Sequence, residues 1–189
     1  MSPTFTQTRD ALHRIAEQVV SPARVKATGN EIALEATPGG FGTPAFPDGG
    51  QVRVEGTDLV TRAPDGTETR EPLDVDPQHA ERLARFFAFA WSVLQTLQAE
   101  AAEPTEIHLW PEHFDVAFED REVTYGASPG DENHEEPYLY VAPWTKPDPA
   151  PEWNAVGFTG AEAAWTDEAA ALAFFRERRD ALCRPSTGS

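Results

Sequence analysis

The sequence predicts an α+β fold: a mainly antiparallel sheet of hairpins packed against a long central helix, with further helices near the N-terminus and the C-terminus. Two observations support this prediction. Short segments of alternating apolar and polar residues follow one another with turn residues between them, which is the pattern of antiparallel hairpins. Helical periodicity is confined to a few segments, so the regular strand–helix alternation of a doubly wound parallel sheet is missing.

The first helix is predicted at residues 8–20, where four apolar side chains recur at the spacing of one helical face. Pro22 is expected to end it. The segments RVKAT and EIALEAT flank Gly29-Asn30, and we expect them to form a hairpin with a tight turn. The segments QVRVE and DLVTR flank a second turn, and TETRE follows a third, so three further short strands are predicted.

The long central helix is predicted to begin at Asp76-Pro77, an N-cap followed by proline in the first helical position, and to run to about Ala101. Apolar side chains cover almost its whole circumference, so it should lie against a sheet. Four strand segments follow: EIHLW, HFDVAFE, EVTYGA and PYLYVAPW. A last helix is expected from Thr166 to about Leu182, with acidic residues in its first turn and arginines near its end.

Composition limits the domain organisation and the partners. Residues 1–183 are predicted to form a single globular domain and residues 184–189 a disordered tail. The net charge of −17, from 32 acidic and 15 basic residues, repels phosphate backbones and anionic lipids, so we expect no nucleic-acid partner and no membrane partner. Cys183 is the only cysteine, which excludes an internal disulfide and a cysteine-based zinc site. The N-terminal segment lacks the pattern of a secretory signal, so we expect a soluble cytoplasmic protein. The oligomeric state is left open.

The richest candidate site lies in the stretch WPEHFDVAFEDREVTYGASPGDENHEEPYLYVAPW. If HFDVAFE is a strand, its apolar face is formed by Phe114, Val116 and Phe118. His113 and Asp115 then share the other face, about 6.5–7 Å apart at the backbone. A type II turn at Ser-Pro-Gly would direct Asp131 and His134 to the end of the same sheet. His113, Asp115, Asp131 and His134 are therefore a candidate ligand set for a divalent metal ion.

A second candidate feature is the glycine-rich segment TPGGFGTPAF, in which the backbone could approach a ligand closely. It has neither the Gly-Lys-Ser/Thr end of a phosphate loop nor a GxGxxG pattern, so a nucleotide loop is disfavoured. Together with the metal candidates, this segment predicts a pocket for a small polar ligand. The residues predicted to line it are Phe41, Glu112, Tyr138 and Trp144.

These patterns leave several functions open. The first is a binding module that holds a small polar ligand or a metal ion between the His/Asp cluster and the glycine-rich segment. The second is a structural or protein-interaction domain without a small-molecule site. The third is a metal-assisted hydrolase or an isomerase that uses Asp and His in acid–base chemistry. An acidic hairpin connection that is simply solvated also explains much of the same stretch.

Four motifs carry a resemblance: EATPGGFGTPAF, LWPEHFDVAFE, YGASPGDENHEEPYLYVAPW and EWNA. They resemble a family of uncharacterised bacterial proteins, typical of actinobacteria, that is known as a domain of unknown function. The resemblance extends from the first helix to FFRERRDAL. It supports one α+β domain, and it implies no catalytic role, because the family has no established activity. Members of that family continue WNA into a Phe-Gly-Ala stretch, whereas this chain continues WNAVGFTGAEAAW.

Overall fold

The computed structural model describes residues 3–183. Its helical elements are α1 (Phe5–Ile15), a π-helical segment (Ala16–Val20), α2 (Ser21–Thr28), α3 (Pro77–Gln98) and α4 (Glu168–Leu182). Its strands are β1 (Glu35–Thr37), β2 (Gly40–Gly42), β3 (Gln51–Glu55), β4 (Asp58–Arg62), β5 (Glu68–Pro72), β6 (His108–Trp110), β7 (Asp115–Asp120), β8 (Val123–Ser128), β9 (Tyr138–Pro143) and β10 (Ala161–Ala164).

The strands of the described residues form two five-stranded sheets, with the orders β1-β2-β3-β4-β5 and β10-β9-β8-β7-β6. Consecutive strands are neighbours within each sheet, and the pairs β1–β2, β2–β3, β3–β4, β4–β5, β8–β9 and β9–β10 are antiparallel, as expected for chains of hairpins. The predicted α+β class is therefore confirmed, with a long central helix and with helices near both ends of the chain. The strands are divided between two sheets, a division that the hairpin pattern does not reveal.

The chain divides into two compact units. The first comprises residues 1–91 and 108–116, and the second comprises residues 92–107 and 117–189. α3 and β7 contribute residues to both units. The expectation of one globular domain over residues 1–183 stays a prediction, and the predicted disordered tail, residues 184–189, lies outside the described residues. Within residues 3–183, no helix combines the length and the apolar character needed to cross a bilayer.

The core of the first unit is aromatic. The rings of Phe41 on β2, Phe87 on α3 and Phe114 before β7 meet edge to face, with centroids 5.1–6.1 Å apart. All three side chains are buried. Edge-to-face contact brings the positive edge of one ring to the negative face of the next, so the trio contributes more than its buried area alone. These contacts pack α3 onto the first sheet.

The N-terminal helical region corrects two predictions. The helix does not end at Pro22: the π-helical segment leads directly into α2, and this proline lies in the first turn of α2. RVKAT is consequently helical rather than a strand. Gly29 ends α2 as a C-cap with φ of +99°, a conformation that suits glycine at a helix end as well as in a hairpin turn.

The hairpin of β3 and β4 confirms the predicted turn at Gly56-Thr57, since Glu55 pairs with Asp58 across it. Val52 and Val54 of β3 are both buried, as the alternation in QVRVE predicts.

The second unit contains β8, β9, β10 and α4. The ring of Tyr125 on β8 contacts Phe118 and Phe175 at centroid distances of 5.5 and 6.2 Å, which packs α4 against this sheet. Burial raises the pKa of Tyr125 to about 12, so its phenol stays protonated in the core. The N-cap of α4 is Asp167, whose carboxylate accepts a hydrogen bond from the N–H of Ala170.

Candidate functional site

The turn before β7 corrects the predicted strand register. The strand begins at Asp115, and the preceding residues form a turn closed by a 2.7 Å hydrogen bond from the N–H of Phe114 to the C=O of Trp110. Phe114 has φ of +55°, so it is not an extended residue of the strand. His113 is exposed in the turn, whereas Asp115 is buried. His113 and Asp115 therefore do not share a strand face, and the prediction of such a pair is wrong.

Both faces of β7 are covered at its start, because its first four residues, 115–118, are all buried. The expected contrast between an apolar face and a polar face is therefore absent there. His13 also supports the turn: its ring stacks on Phe114 with a centroid distance of 5.1 Å, and its Nε2 lies 2.8 Å from the C=O of Pro111. WPEHFD thus forms a turn that the buried Phe114 anchors in the core of the first unit, while Glu112 and His113 stay exposed.

The connection between β8 and β9 is held by local hydrogen bonds. Gly130 has φ of +102°, as glycine in the third position of a type II turn requires, and its N–H donates to the hydroxyl of Ser128. The carboxylate of Asp131 then accepts hydrogen bonds from the N–H groups of Asn133 and His134, at 2.7 and 3.0 Å. This arrangement is an Asx turn, and it aims the Asp131 and His134 side chains at each other.

Four side chains form a connected polar network in the second unit, which we call the His134 cluster: Asp131, His134, Tyr138 and Glu162. The Nδ1 of His134 lies 3.0 Å from Oδ1 of Asp131, and its Nε2 lies 3.0 Å from Oε2 of Glu162. The hydroxyl of Tyr138 donates to Oδ2 of Asp131 at 2.7 Å. The ring of His134 also lies against the Tyr138 ring, with centroids 4.2 Å apart.

The electrostatics of the cluster favour a protonated imidazole. Burial alone would lower the pKa of His134, but the hydrogen bond and charge of Asp131, together with the charge and hydrogen bond of Glu162, raise that pKa above its usual value. Burial would raise the pKa of Asp131, but hydrogen bonds from Tyr138 and His134 outweigh it and lower that pKa. A carboxylate faces each ring nitrogen, so both nitrogens must carry a proton to satisfy both contacts.

A groove of about 530 Å³, which we call the β10 groove, lies beside this cluster. Its polar lining consists of His134, Glu135, Glu136, Tyr138, Asn154 and Glu162. Its apolar lining consists of Pro137, Ala163 and Ala164, together with the Tyr138 ring. No lysine or arginine occurs among the described residues that line it, so the groove combines apolar surface with an excess of carboxylates.

The other predicted site residues lie elsewhere. Phe41 is in the core of the first unit with 1 % of its surface exposed, and Glu112 is exposed in the turn before β7. Trp144 is 63 % exposed beyond the end of β9. Of the four predicted ligand-lining residues, only Tyr138 lines the β10 groove. The other three have no shown role in a ligand site.

The four predicted metal ligands are divided between the units. His113 and Asp115 belong to the first unit, whereas Asp131 and His134 belong to the second. Within residues 3–183, no group of three or more His, Cys, Asp and Glu side chains has an arrangement that could hold a metal ion. A metal ion at His134 would have to displace a proton and one carboxylate contact. The divalent metal, like the enzyme hypothesis, stays a prediction.

The glycine-rich segment forms the β1–β2 hairpin, and its glycines are explained by strand pairing. A Cβ at Gly40 would lie 2.4 Å from the carbonyl oxygen of Val54, and a Cβ at Gly42 would lie 2.5 Å from Cβ of Arg53. The close neighbour of both glycines is thus β3. Close approach to a ligand is not needed to account for them.

Sequence reasoning missed two residues that line the β10 groove, Glu162 and Asn154. The side chain of Asn154 accepts a hydrogen bond from the N–H of Glu162 at 3.0 Å and donates one to its C=O at 3.2 Å. The EWNA motif contains Asn154, but the sequence does not show which backbone groups its side chain contacts. Nothing in AEAA indicated a strand, because it contains no β-branched or aromatic residue.

Comparisons with known proteins find no match to this chain among family models, curated proteins or solved structures. The resemblance to a domain of unknown function therefore stays a prediction, and the function has to be argued from the site.

Proposed function

We propose that the protein is a small-ligand-binding module and that its ligand lies in the β10 groove, with a positively charged group next to the carboxylates. The observation that carries this proposal is the His134 cluster itself. It is a polar network in which Asp131, His134, Tyr138 and Glu162 hold one another in place beside a cavity. Binding sites combine such preorganised polar groups with apolar surface.

The size and lining of the groove suit a small organic ligand. Its volume of about 530 Å³ falls within the roughly 300–1,000 Å³ typical of ligand sites. The ring of Tyr138 and the side chains of Ala163 and Ala164 supply apolar contacts, and the carboxylate of Glu162 supplies a hydrogen-bond acceptor. A ligand with an apolar body and a hydrogen-bond-donating end would use both kinds of surface.

The carboxylates of the groove determine which ligand charge is favoured. Glu135, Glu136 and Glu162 line the groove, and the one basic side chain that lines it, His134, has both ring nitrogens in contact with carboxylates. A cationic ligand is therefore favoured over an anion. The protein's net charge of −17 acts in the same direction. It also argues against nucleic acid and anionic membrane as partners, and we propose a cytoplasmic location.

Three matched probes test this proposal: benzylammonium, benzyl alcohol and benzoate, which share a ring and differ in charge. Benzylammonium should raise the melting temperature, whereas the alcohol should do so weakly and benzoate not at all. At a ligand concentration ten times the Kd, the stabilisation should be about 1.4 kcal/mol, or a few degrees. The shift is measured by differential scanning fluorimetry, and the Kd by isothermal titration calorimetry.

Variants of the groove locate the binding. Glu135→Gln removes an exposed carboxylate of the lining and leaves the His134 cluster intact, so benzylammonium should bind a few-fold more weakly. Glu177→Gln on α4 is the matched control, since this exposed carboxylate does not line the groove. Equal affinities for all three probes, or equal effects of the two substitutions, would contradict the proposal.

A further inference from the structure

The backbone N–H and C=O groups of β10 alternate between the partner strand β9 and the outer edge of the sheet. Trp165 donates its N–H to the C=O of Pro137 across the β9–β10 ladder, in register with the pair formed by Ala163 and Leu139. In an antiparallel pair, alternate residues point their N–H and C=O groups at the partner strand. The backbone groups of Gly160, Glu162 and Ala164 must therefore point outward, away from β9.

The hydrogen bonds of Gly160 and Glu162 confirm this outward direction of the backbone groups. The C=O of Gly160 accepts a hydrogen bond from the N–H of Ala155, and the N–H and C=O of Glu162 both bond to the side chain of Asn154. The carboxamide of Asn154 thus takes the place of a neighbouring strand. These contacts cover the outer edge of β10 over its first half.

The cover stops before Ala164. This residue is exposed and lines the β10 groove, and within residues 3–183 no hydrogen bond reaches its outward N–H or C=O. Thr166, which lies two residues further along the chain, is also exposed. A short unpaired sheet edge therefore opens into the groove. Such an edge is a template for an added strand, because its free donor and acceptor match those of an extended chain.

The surroundings of this edge select the added strand. Glu135 and Glu136 are both exposed and line the groove with Ala164. They would attract lysine or arginine side chains and repel acidic ones. The small side chains of Ala163 and Ala164 leave room for the side chains of an incoming strand. The open backbone edge, the negative charge of the two glutamates and the room beside the alanines thus favour the same kind of ligand.

We infer that the ligand of the β10 groove is an extended peptide segment with lysine or arginine side chains, which adds a strand to the open edge of β10 at Ala164. This inference rests on the proposed ligand-binding function and specifies its ligand class. The peptide backbone exchanges hydrogen bonds with the N–H and C=O of Ala164, and its cationic side chains lie next to Glu135 and Glu136.

Two alternately N-methylated peptides test the inference. The probe is acetyl-Val-Lys-Val-Lys-Val-amide, measured by isothermal titration calorimetry with the full-length chain. One variant carries N-methyl groups on its odd residues and the other on its even residues, so each blocks one edge of the extended peptide. Only one edge can face β10. One methylated peptide should therefore bind about tenfold more weakly, by loss of hydrogen bonds and by steric clash, while the other keeps the affinity of the parent.

Two substitutions in the protein provide the reciprocal test. Ala164→Pro removes the outward N–H and leaves the ladder to β9 intact, so peptide binding should weaken about tenfold. Glu177→Gln on α4, outside the groove, is the control and should bind the peptide like the wild-type protein. The melting temperature of each variant shows whether it is folded, and the methylated peptides provide a test that needs no variant.

Benzylammonium separates the two proposals, because it has the charge without the peptide backbone. If both methylated peptides bind like the parent, while benzylammonium still binds, strand addition is overturned and the small-ligand function stands. If neither the parent peptide nor benzylammonium binds, both proposals are overturned. Tight binding of the matched peptide with glutamate in place of lysine would overturn the charge argument.

Discussion

Replacing Glu162 by glutamine removes one of the two carboxylates that hold the His134 ring. The substitution keeps the size of the side chain and one oxygen that can still accept the N–H of Val156, at present 3.1 Å away. The contact that changes is the 3.0 Å contact between Nε2 of His134 and the carboxylate of Glu162. Glu162→Gln therefore isolates the charge at one side of the ring.

The expected cost follows from burial and charge. The side chains of His134 and Glu162 are 15 % and 19 % exposed, so water screens their contact only in part. A hydrogen bond to a charged group contributes about 1.5–3 kcal/mol, whereas a neutral one contributes about 0.5–1.5 kcal/mol. Glu162→Gln should lower the free energy of unfolding by about 1–2 kcal/mol while the imidazole is protonated.

The pH dependence gives this prediction its sign. The folded-state pKa of His134 is raised above the usual value near 6.5. The stability that its proton contributes is therefore fully present below about 6.5 and is lost as the pH rises through the folded-state pKa. The difference between the wild-type protein and Glu162→Gln should be largest at pH 6 and should shrink at alkaline pH. Asp131 stays ionised in this range, because its own pKa is lowered.

Urea denaturation followed by circular dichroism at pH 6 and at pH 9 measures the effect. Glu177→Gln, an exposed substitution on α4 in the same unit, is the control and should change stability little at either pH. A Glu162→Gln variant as stable as the wild-type protein at pH 6 would refute the reasoning. A loss of the same size at both pH values would refute it too, because the proton on His134 would then contribute nothing.

The remaining predictions concern the sheet, a helix cap and the cluster. Gly40→Ala should lower the free energy of unfolding by about 2–3 kcal/mol, because its Cβ would lie 2.4 Å from a carbonyl oxygen of β3. Gly66→Ala has open space and only the strain of φ +86°, so it should cost about 1 kcal/mol. Urea titrations check that Gly40→Ala is the more destabilising of the two. Asp167→Ala should lower the free energy of unfolding by about 1 kcal/mol through loss of the α4 cap, whereas Asp167→Asn should stay close to the wild-type stability. Melting curves compare the two variants, and equal melting temperatures would contradict the capping role. Tyr138→Phe removes a hydrogen-bond donor to Asp131, so the pKa of that carboxyl should rise toward its usual value, and a ¹³C NMR titration that shows no rise would contradict this.

Local turn chemistry predicted those parts of the fold that depend on neighbouring residues. The hairpin at Gly56-Thr57 and the start of α3 at Asp76-Pro77 both follow from the conformational preferences of two adjacent residues. The wrong prediction of a hairpin turn at Gly29 has the same origin, because a positive φ suits a helix C-cap and a hairpin turn equally. Only the helical residues on its N-terminal side decide between them.

Elements that depend on distant partners were not predicted. β10 has no strand propensity of its own, and it forms because it pairs with β9 and because Asn154 bonds to the outward backbone groups of Glu162. The candidate site shows the same division. Asp131 and His134 are three residues apart on one turn, so their contact could be expected, whereas Glu162 lies 28 residues from His134 and depends on the strand register. Asp115 was placed on a polar face because Phe114 was assumed to be extended. Phe114 instead has φ of +55°, and the strand begins at Asp115, two residues after the predicted start at His113.

The claim that the ligand site is the β10 groove is tested most directly by NMR of the histidine rings during a titration with benzylammonium. The two ring ¹⁵N signals of His134 should shift in a saturable way, because that ring lines the groove. The signals of His13, a half-buried residue that stacks on Phe114 in the first unit, should stay in place. A saturable shift at His134 alone would support the account. Binding that leaves the His134 signals unchanged would contradict it.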